Sequence, residues 1–378
     1  MKYFSSGFYY VRYSILRKII FYSYRKFNLR VWVFAIFFIF QFFLNQFIHL
    51  LFRLIDEVFF FKYRKVKIEK PVFIIANPRS GTTYLHRLIS QDDDRFAYTK
   101  LAHTFFMTAS FTHFANMVRW IDQHTGNLIR NGLNKLDEVF WGGWDNIHAM
   151  GFNKAEEDEL PFAQTMMSTG VFLPFPYFHL IDDNKFLDKE PADVRKGTMD
   201  FYESCVKRFV HASGSNKTYL SKNVMSTGRF KSLMERFPDA KVIYIARHPY
   251  EALPSFASMF SSMYGSLPDD DPSRLAWSEL GIKFYQYLAE MRKEIPASQF
   301  IALKYDDLVE NPQDTVLKVY KHFDWDASED FVKTLQAEQL RQKNYQSAHE
   351  YSLEKFNLSK DYIYESLFEV FHEFGFER

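Results

Sequence analysis

Residues 71–89 read PVFIIANPRSGTTYLHRLI, and their pattern gives the clearest indication of the fold class. Its first part, Val72–Ala76, is an apolar and β-branched run of strand length, which predicts a buried strand. The polar turn at residues 77–83 interrupts that run, and apolar residues then recur at helical spacing from Tyr84 to Ile89. Strand, tight loop and helix in this order open a βαβ unit, the building block of a parallel sheet.

Two later segments repeat the buried-strand pattern. Lys241–Ala246 reads KVIYIA and ends at Arg247, and Phe300–Lys304 reads FIALK and ends at Tyr305. Thr218–Ser221 is a weaker strand candidate. Helical stretches are predicted between these segments, at residues 197–210, 227–237, 273–295 and 312–323. The alternation predicts an α/β fold in which helices cover both faces of a central parallel sheet.

The loop NPRSGTT (77–83) has the composition of an anion-binding turn. Gly81 permits close backbone approach to a ligand, while Thr82 and Thr83 can cap the following helix and hydrogen-bond an oxyanion. The start of a helix supplies amide donors and partial positive charge, and Arg79 adds a forked cation. The loop lacks the lysine of a Walker A motif, which argues against a P-loop kinase or nucleotidase, the alternative enzyme class.

A second stretch, KVIYIARHPYEALPS (241–255), ends a predicted strand with Arg247 and places Ser255 eight residues further on. Ligands of open α/β sheets bind at the carboxyl ends of strands, so this pair would hold a second phosphate. Taken singly, Arg247 fits a surface ion pair and Ser255 a helix cap. Together with the first loop, they predict two anion-binding stretches on one sheet.

These motifs, in this order, resemble those of sulfotransferases. PRSGTT after a strand is similar to their 5′-phosphosulfate loop, KVIYIARHPYEALPS to their 3′-phosphate motif, and LKYDDLVENP (303–312) to a later strand and turn. A large, mainly bacterial branch with lipid-tailoring members is resembled by four further segments: GTTYLHRL (81–88), EEDEL (156–160), LSKNVMSTGRF (220–230) and SAHEYSLEKFNLS (347–359). The resemblance covers residues 71–378 and implies a sulfotransferase fold of the P-loop-like type.

The resemblance also implies the reaction and its site. The donor would be 3′-phosphoadenosine 5′-phosphosulfate, the product nucleotide 3′,5′-ADP, and the enzyme an EC 2.8.2 sulfotransferase that requires no metal. The residues implied for the 5′-phosphosulfate are Arg79, Ser80, Gly81, Thr82 and Thr83; those implied for the 3′-phosphate are Arg247 and Ser255. Lys222 matches a family lysine that reaches the transferring sulfonate and would stabilise the leaving oxygen.

The general base has three candidates. Family members use a histidine or a carboxylate, and in one branch a glutamate follows the phosphate loop and its helix. Here that stretch, RFAYTKLAHTFF (95–106), contains no carboxylate, so His103 is the first choice. Glu157, in the acidic run 156–159, is the second choice and His148 the third, because a base must reach the acceptor hydroxyl.

The region between the motifs predicts an apolar acceptor. Residues 96–180 are rich in Phe, Met and Trp, including Trp120, Trp141, Trp144, Met166, Met167 and the stretch VFLPFPYF (171–178). Such side chains can line a wide apolar pocket, although most single positions fit ordinary core packing equally well. The favoured acceptor is the hydroxyl of a lipid, a glycolipid or a sterol-like alcohol.

The first 60 residues are basic and rich in phenylalanine. They hold 14 of the 43 Phe and carry a net charge of +6, which leaves −5 for the remainder. Residues 31–52 (VWVFAIFFIFQFFLNQFIHLLF) would form a helix of about 33 Å, long enough to cross a bilayer. Gln41, Asn45, Gln46 and His49 interrupt its second half, however, and the strongly apolar part, Val31–Leu44, has only 14 residues.

Basic residues flank both sides of this apolar run, so a monotopic helix with both ends on one side fits better than a span. We therefore expect a membrane-associating segment at residues 1–60 before a sulfotransferase domain at 71–378. A single-pass helix and a lid packed over the catalytic domain are the alternatives. The expected location is the cytoplasmic surface of a membrane.

The composition of the chain limits which classes of function remain. A net charge of +1 over 378 residues gives no electrostatic reason to expect nucleic-acid binding. Cys205 is the single cysteine, which excludes an intrachain disulfide and favours a reducing compartment. A non-catalytic membrane scaffold that keeps a degenerate nucleotide fold is the alternative to an enzyme.

Overall fold

The computed structural model describes residues 7–25, 29–129, 131, 132, 135, 154–173, 175–182, 184–214, 216–261, 271–342 and 353–378 of the 378-residue chain. Its strands are β1 (Val72–Ala76), β2 (Phe96–Tyr98), β3 (Thr218–Lys222), β4 (Lys241–Ala246) and β5 (Phe300–Lys304). They form one sheet in the order β2-β3-β1-β4-β5. The predicted α/β fold with a parallel sheet is confirmed.

Neighbouring strands of the sheet pair in parallel, and its central strands are buried. Val72 lies beside Lys241 and Ala76 beside Ile245 in the parallel β1–β4 pair. The β4–β5 and β2–β3 pairs are also parallel. Every residue of β1 and all but the first residue of β4 are buried, as expected of a strand covered on both faces.

The helices of the first half are α1 (Tyr13–Arg25), α2 (Leu29–Phe59), α3 (Thr82–Ile89), α4 (Leu101–Phe105), α5 (Ala109–His124), α6 (Leu160–Gln164) and α7 (Ala192–Ser213). Those of the second half are α8 (Phe230–Arg236), α9 (Pro249–Ser261), α10 (Pro272–Met291), α11 (Tyr305–Glu310), α12 (Pro312–His322), α13 (Glu329–Gln342), α14 (Lys360–Ser366) and α15 (Phe368–Phe374). Short 3₁₀ helices include Phe61–Lys65 and Val224–Arg229.

The chain divides into two compact units. Unit 1 comprises Met1–Glu69, Asp94–Ser168 and Pro191–Ser221, and unit 2 comprises Lys70–Asp93, Thr169–Glu190 and Lys222–Arg378. In unit 2, α3 packs on β1 and α9 packs on α10. The stretch Val171–Phe178, predicted as possible pocket lining, supplies buried side chains such as Phe172, Phe175 and Tyr177.

Unit 1 is mainly helical. Its α7 packs against α5, α6 and the 3₁₀ turn that follows α2, and α2 packs against α1 and α5. The apolar run expected at residues 31–52 is part of the 31-residue helix α2, which by length and composition could cross a membrane. The helix continues to Phe59 because its last turns bury polar side chains against the rest of unit 1.

Candidate nucleotide-binding site

The loop between β1 and α3 turns through two left-handed residues. Arg79 has φ +70° and Gly81 has φ +81°, on either side of the buried Ser80. Gly81 is the N-cap of α3 and offers no side chain, and Thr82 is the first helical residue. The expectation that Thr82 or Thr83 caps the helix is therefore wrong, because glycine at the turn starts the helix one residue earlier.

Glycine is required at position 81 for a second reason. A Cβ atom built there would lie 2.8 Å from Cδ2 of Tyr305, the first residue of α11 after β5. The Tyr305 ring thus packs directly against the phosphate-loop backbone. Behind the loop, Asn77 donates a hydrogen bond to the carbonyl oxygen of Gly281 at 3.0 Å, which fixes the loop to α10.

Lys222 lies at the first turn of α3. It is the last residue of β3 and is fully buried, and its Nζ donates to Oγ1 of Thr83 at 3.1 Å. The next residue, Asn223, donates its backbone N–H to the Ile74 carbonyl at 3.1 Å, which holds this chain segment beside β1. An ammonium group therefore sits where the first backbone N–H groups of a helix have no intrahelical acceptor.

The second predicted stretch meets the first. Arg247 follows β4, and its Nη1 donates to the Arg79 carbonyl oxygen at 2.7 Å. Ser255, on α9, accepts a hydrogen bond from Nε of Arg79 at 3.1 Å. The hydroxyl of Tyr285 donates to the Arg247 carbonyl at 2.7 Å, and burial raises the pKa of that hydroxyl. The two stretches predicted to bind anions thus form one cluster within unit 2.

Arg247 already has an anionic neighbour. Its Nη2 and Nε lie 2.9 and 3.1 Å from Oε2 of Glu251, one helical turn further on, and the Glu251 side chain is 54% exposed. The guanidinium carbon also lies 4.4 Å from the centre of the Tyr305 ring. An incoming phosphate would therefore have to compete with this carboxylate for Arg247.

The donor set of this cluster fits a ligand with two separate anionic groups. Three side chains are cations, Arg79, Lys222 and Arg247, and three carry hydroxyl groups near them, Ser80, Thr83 and Ser255. Charge-assisted hydrogen bonds from such groups are the usual means of holding phosphate and sulfate oxygens. Over the part of the chain that the structure describes, no three His, Cys, Asp or Glu side chains are grouped to hold a metal ion.

The first-choice base, His103, belongs to unit 1. It lies in α4, is buried, and has its ring centre 5.5 Å from that of Phe209. Its Nδ1 accepts a hydrogen bond from the backbone N–H of Lys100 at 3.4 Å. Burial, together with the positive charges of Arg119 and Lys100, lowers the pKa of His103 to about 4. The imidazole is therefore neutral at pH 7.

The acidic run that contains Glu157 is not a solvated face. Glu156 and Asp158 are buried, and Asp158 accepts hydrogen bonds from the hydroxyls of Tyr202 and Tyr219. Glu157 itself is half-buried. His148, the third choice, lies outside the described residues, as do the predicted pocket residues Trp141 and Trp144. The structure describes Met166 and Met167 as fully buried and Trp120 as largely exposed.

Sequence reasoning missed three residues of the cluster. Glu251 carries only a weak signal: it stands four residues after Arg247, but Arg247 precedes α9, which begins at Pro249. In the sequence Tyr305 marks only the end of a predicted strand, and its contact with Gly81 depends on β1 and β5 lying on either side of β4. Tyr285 lies in the middle of α10 and has no local pattern that marks it.

Comparison with known proteins identifies the same family as the sequence motifs do. Residues 71–330, more than half of the chain, match the model of the family described as "Sulfotransferase family". The chain is 27% identical over 270 residues to the "Omega-hydroxy-beta-dihydromenaquinone-9 sulfotransferase Stf3" of Mycobacterium bovis, and equally to the protein of that name in Mycobacterium tuberculosis. The match covers 67% of this chain and 62% of the length of each of these relatives.

Solved structures show the same fold. Sulfotransferase STF1 from Mycobacterium tuberculosis H37Rv superposes with a TM-score of 0.66 over 97% of this chain and 93% of its own, at 17% identity. Sulfotransferase STF9 from Mycobacterium avium gives a TM-score of 0.64 at 17% identity, covering 84% of this chain and 79% of its own. With the family match over residues 71–330, these observations lead to one conclusion: the chain belongs to the sulfotransferase family.

Proposed function

We propose that this protein transfers a sulfonate group from 3′-phosphoadenosine 5′-phosphosulfate to a hydroxyl of a hydrophobic acceptor, leaving 3′,5′-ADP. One observation carries the proposal: Arg79 is bonded through its side chain to Ser255 and through its carbonyl to Arg247. The loop suited to a 5′-phosphosulfate and the stretch suited to a 3′-phosphate are therefore adjacent. A nucleotide phosphorylated at both positions would match that pair of groups.

The roles of the residues follow from their chemistry. Arg79, Ser80, Gly81, Thr82 and Thr83 would hold the 5′-phosphosulfate with side-chain donors and the amides at the start of α3. Arg247 and Ser255 would hold the 3′-phosphate, which selects this nucleotide over one that lacks it. The donor brings its own activated bond to sulfur, so the reaction needs no metal.

Lys222 is proposed as the residue that stabilises charge during transfer. Its ammonium lies 3.1 Å from Oγ1 of Thr83 in a fully buried position, where an electrostatic contact is stronger than in water. In an in-line transfer, negative charge develops on the oxygen that leaves the sulfonate. A fixed cation at the first turn of α3 would bind that oxygen more tightly as its charge grows.

The hydrophobic acceptor is proposed on two grounds. A relative 27% identical to this chain is named as a sulfotransferase of an omega-hydroxylated dihydromenaquinone, a hydrophobic acceptor with a hydroxyl group. In addition, α2 is a long apolar helix near the N-terminus, which fits a protein that works at a membrane surface. The single cysteine, Cys205, favours the cytoplasmic side of that membrane. We infer a lipid-like alcohol as the substrate class.

The base that takes the acceptor proton is proposed to be His103, with Glu157 and His148 as the alternatives. A base contributes about 10²- to 10⁴-fold to the rate. We expect His103→Asn to lower kcat by that order while the Kd for 3′,5′-ADP stays within about twofold. If Glu157→Gln or His148→Asn instead lowers kcat and leaves the Kd for 3′,5′-ADP unchanged, the residue changed in that variant is the base.

The experiment that tests the function is incubation of the full-length protein with radiolabelled sulfonate donor and a crude lipid extract, followed by mass spectrometry of the labelled product. We expect a lipid that has gained one sulfonate group. Labelling of only small sugars or peptide tyrosines would overturn the acceptor class. Tight binding of 3′,5′-ADP without labelling of any extract would indicate a non-catalytic scaffold. Hydrolysis of Mg-ATP with no response to the sulfated nucleotide would indicate a kinase-like enzyme.

A further inference from the structure

From Gln46 to Asp56, helix α2 buries polar side chains and exposes apolar ones. Gln46, His49, Arg53 and Asp56 recur at helical spacing along one face and are buried. The opposite face carries Phe37, Phe40, Leu44, Phe47, Leu51 and Ile55, each between 40 and 64% exposed. We call this opposite face the outer face of α2. A surface helix of a soluble protein shows the reverse arrangement.

Specific hydrogen bonds fix this orientation of the helix within unit 1. Nε2 of Gln46 donates to the Gln164 carbonyl at 2.7 Å, and Nη2 of Arg53 donates to the Ser204 hydroxyl at 2.7 Å. The Asp56 carboxylate accepts the backbone N–H groups of Ala109 and Ser110, which begin α5.

Asp56 also forms a buried ion pair, with Nε of Arg208 3.1 Å from its Oδ2. Breaking a buried pair of this kind by removing one partner is strongly destabilising, because the other charge is left uncompensated. Rolling α2 to bury its outer face would break this pair and the hydrogen bonds of Gln46 and Arg53. The apolar face is thus held outward by the buried polar one.

The same contacts oppose a transmembrane placement of α2. The buried face runs from Val31 to Asp56, so protein covers one side of the helix over nearly its whole length. A bilayer span over its apolar part would carry the buried Gln46 and His49, with the Gln164 backbone and the Phe201 ring that they contact, into the hydrocarbon layer, where polar groups and non-helical backbone are costly. A helix lying in the membrane plane keeps these groups inside the protein and places only the outer face among acyl chains.

Basic residues stand at both ends of the outer face. Arg25 and Arg30 are exposed near its start, and Lys62 and Lys65 are exposed just after its end. The last two, with Lys67 and His211, line a cleft of about 400 Å³ that also includes Val66 and Glu69. The two ends of α2 are about 45 Å apart at 1.5 Å per residue. Cations at both ends suit the headgroup level of one anionic leaflet, where each adds about 1 kcal/mol of attraction.

We propose that unit 1 docks on an anionic phospholipid bilayer through the outer face of α2, with the helix in the membrane plane and both of its ends on the same side. This proposal rests on the membrane contact proposed under the function above and specifies how the helix lies on the membrane. It does not depend on sulfonate transfer. Helix α5 of the same unit adds Phe114, Met117 and the 61% exposed Trp120 at helical spacing. Tryptophan is enriched at membrane–water interfaces.

The first test measures sedimentation of the full chain with vesicles of phosphatidylcholine alone or with about 30% phosphatidylglycerol. We expect binding at least about tenfold tighter to the anionic vesicles. The triple variant Phe37→Ser/Phe40→Ser/Phe47→Ser should lose at least about tenfold of that affinity. Its matched control, Leu340→Ser/Tyr362→Ser/Phe368→Ser, removes three exposed apolar side chains of unit 2 and should bind as the wild type does.

The binding of 3′,5′-ADP is measured on the same samples. Unchanged vesicle binding in the outer-face variant would overturn the docking face while leaving the proposed enzyme intact. If the protein self-associates and does not bind vesicles, the outer face of α2 binds a second copy of the chain and the docking proposal is wrong. Loss of 3′,5′-ADP binding with normal vesicle binding would count against the enzyme alone.

The second test asks whether both ends of α2 stay on one side. Leu29→Cys and Lys65→Cys are exposed positions at the two ends, and the native Cys205 is fully buried. Protein added to preformed vesicles is treated with a membrane-impermeant maleimide. Reaction of both variants is expected for an in-plane helix. Protection of one end until the vesicles are lysed would show a span and overturn the proposal.

Discussion

Arg79 and Ser255 are 176 positions apart in the sequence, and the Nε of the first donates a hydrogen bond of 3.1 Å to the hydroxyl of the second. The bond joins the loop after β1 to the helix after β4. Because β1 and β4 are adjacent in the sheet, their carboxyl ends bring these two segments to one edge. The proposed nucleotide site is therefore a property of strand order as well as of the motifs.

Removing the Ser255 hydroxyl should weaken nucleotide binding. We expect Ser255→Ala to raise the Kd for 3′,5′-ADP by about tenfold, which corresponds to about 1.4 kcal/mol and to the loss of one hydrogen bond to a charged group. Isothermal titration calorimetry measures the change. Ser298→Ala, at an exposed position before β5, is the control and should bind normally. Equal Kd values for Ser255→Ala and the wild type would remove Ser255 from the site.

Lys222 should affect turnover more than binding. We expect Lys222→Ala or Lys222→Met to lower kcat by about 10²- to 10³-fold, the cost of losing one electrostatic contact to the transition state, with a much smaller change in Kd for 3′,5′-ADP. The labelled-donor assay gives kcat. Lys241→Met is the matched control, since Lys241 begins β4 at the opposite end of the sheet. A variant of Lys222 with full activity would exclude this lysine from the mechanism.

Glu251 should oppose the binding of a 3′-phosphate. Its carboxylate lies 2.9 Å from Nη2 of Arg247 and would repel an incoming phosphate dianion. We expect Glu251→Gln to lower the Kd for 3′,5′-ADP by about two- to tenfold, with a smaller difference at high salt. Glu279→Gln, at an exposed position on α10, should change neither value. Weaker binding by Glu251→Gln would mean that the carboxylate orients Arg247 instead.

Gly81→Ala should damage the loop. The new Cβ would lie 2.8 Å from the Tyr305 ring, and φ of +81° is strained for alanine. We expect the variant to lose at least about tenfold in 3′,5′-ADP affinity and about 1 to 3 kcal/mol in the free energy of unfolding. Calorimetry and urea unfolding measure the two. Since the Tyr305 ring supplies the steric clash and φ the backbone strain, Gly81→Ala/Tyr305→Ala should recover part of the stability. No recovery would mean that backbone strain accounts for the whole loss.

The sequence was sufficient to predict the strands β1, β4 and β5 of the sheet. The strands β1, β4 and β5 have the predicted bounds, because buried parallel strands are continuous apolar runs that end at a polar residue. The three-residue strand β2 was not predicted, since Phe96–Tyr98 is too short to show any period. Helix α7 was expected at 197–210 and extends over Ala192–Ser213, because its ends are polar and carry no apolar spacing.

The candidate site was predictable only in part. The motifs identified Arg79, Arg247 and Ser255, but their mutual bonds depend on which strands are neighbours, and no local pattern encodes that. The inverted polarity of α2 was hidden for a related reason: Arg53 reads as a basic residue that flanks the apolar run, and Asp56 as an acidic residue beyond it, until their partners on α7 and α5 are known. Only the long-range partners of a charged residue show whether it ends an apolar segment or fixes the helix to the rest of the protein.

Acid should destabilise the folded chain through His103. Burial lowers the pKa of this histidine to about 4, against 6.5 for an ordinary one, so the unfolded chain binds more protons between these values. Stability contributed by the neutral imidazole is therefore present above about pH 6.5 and is lost as the pH falls towards 4, at up to about 1.4 kcal/mol per pH unit.

His103→Asn removes the titration but keeps an oxygen that can accept the hydrogen bond from Lys100. Urea unfolding at pH 7, 6 and 5 should show the wild type losing stability relative to this variant at each step, by about 1 kcal/mol or more in total. The matched control His372→Asn, at an exposed position on α15, should run parallel to the wild type. If the His103→Asn and wild-type curves stay parallel down to pH 5, burial does not lower the pKa of the His103 imidazole and the predicted acid destabilisation through this residue is wrong.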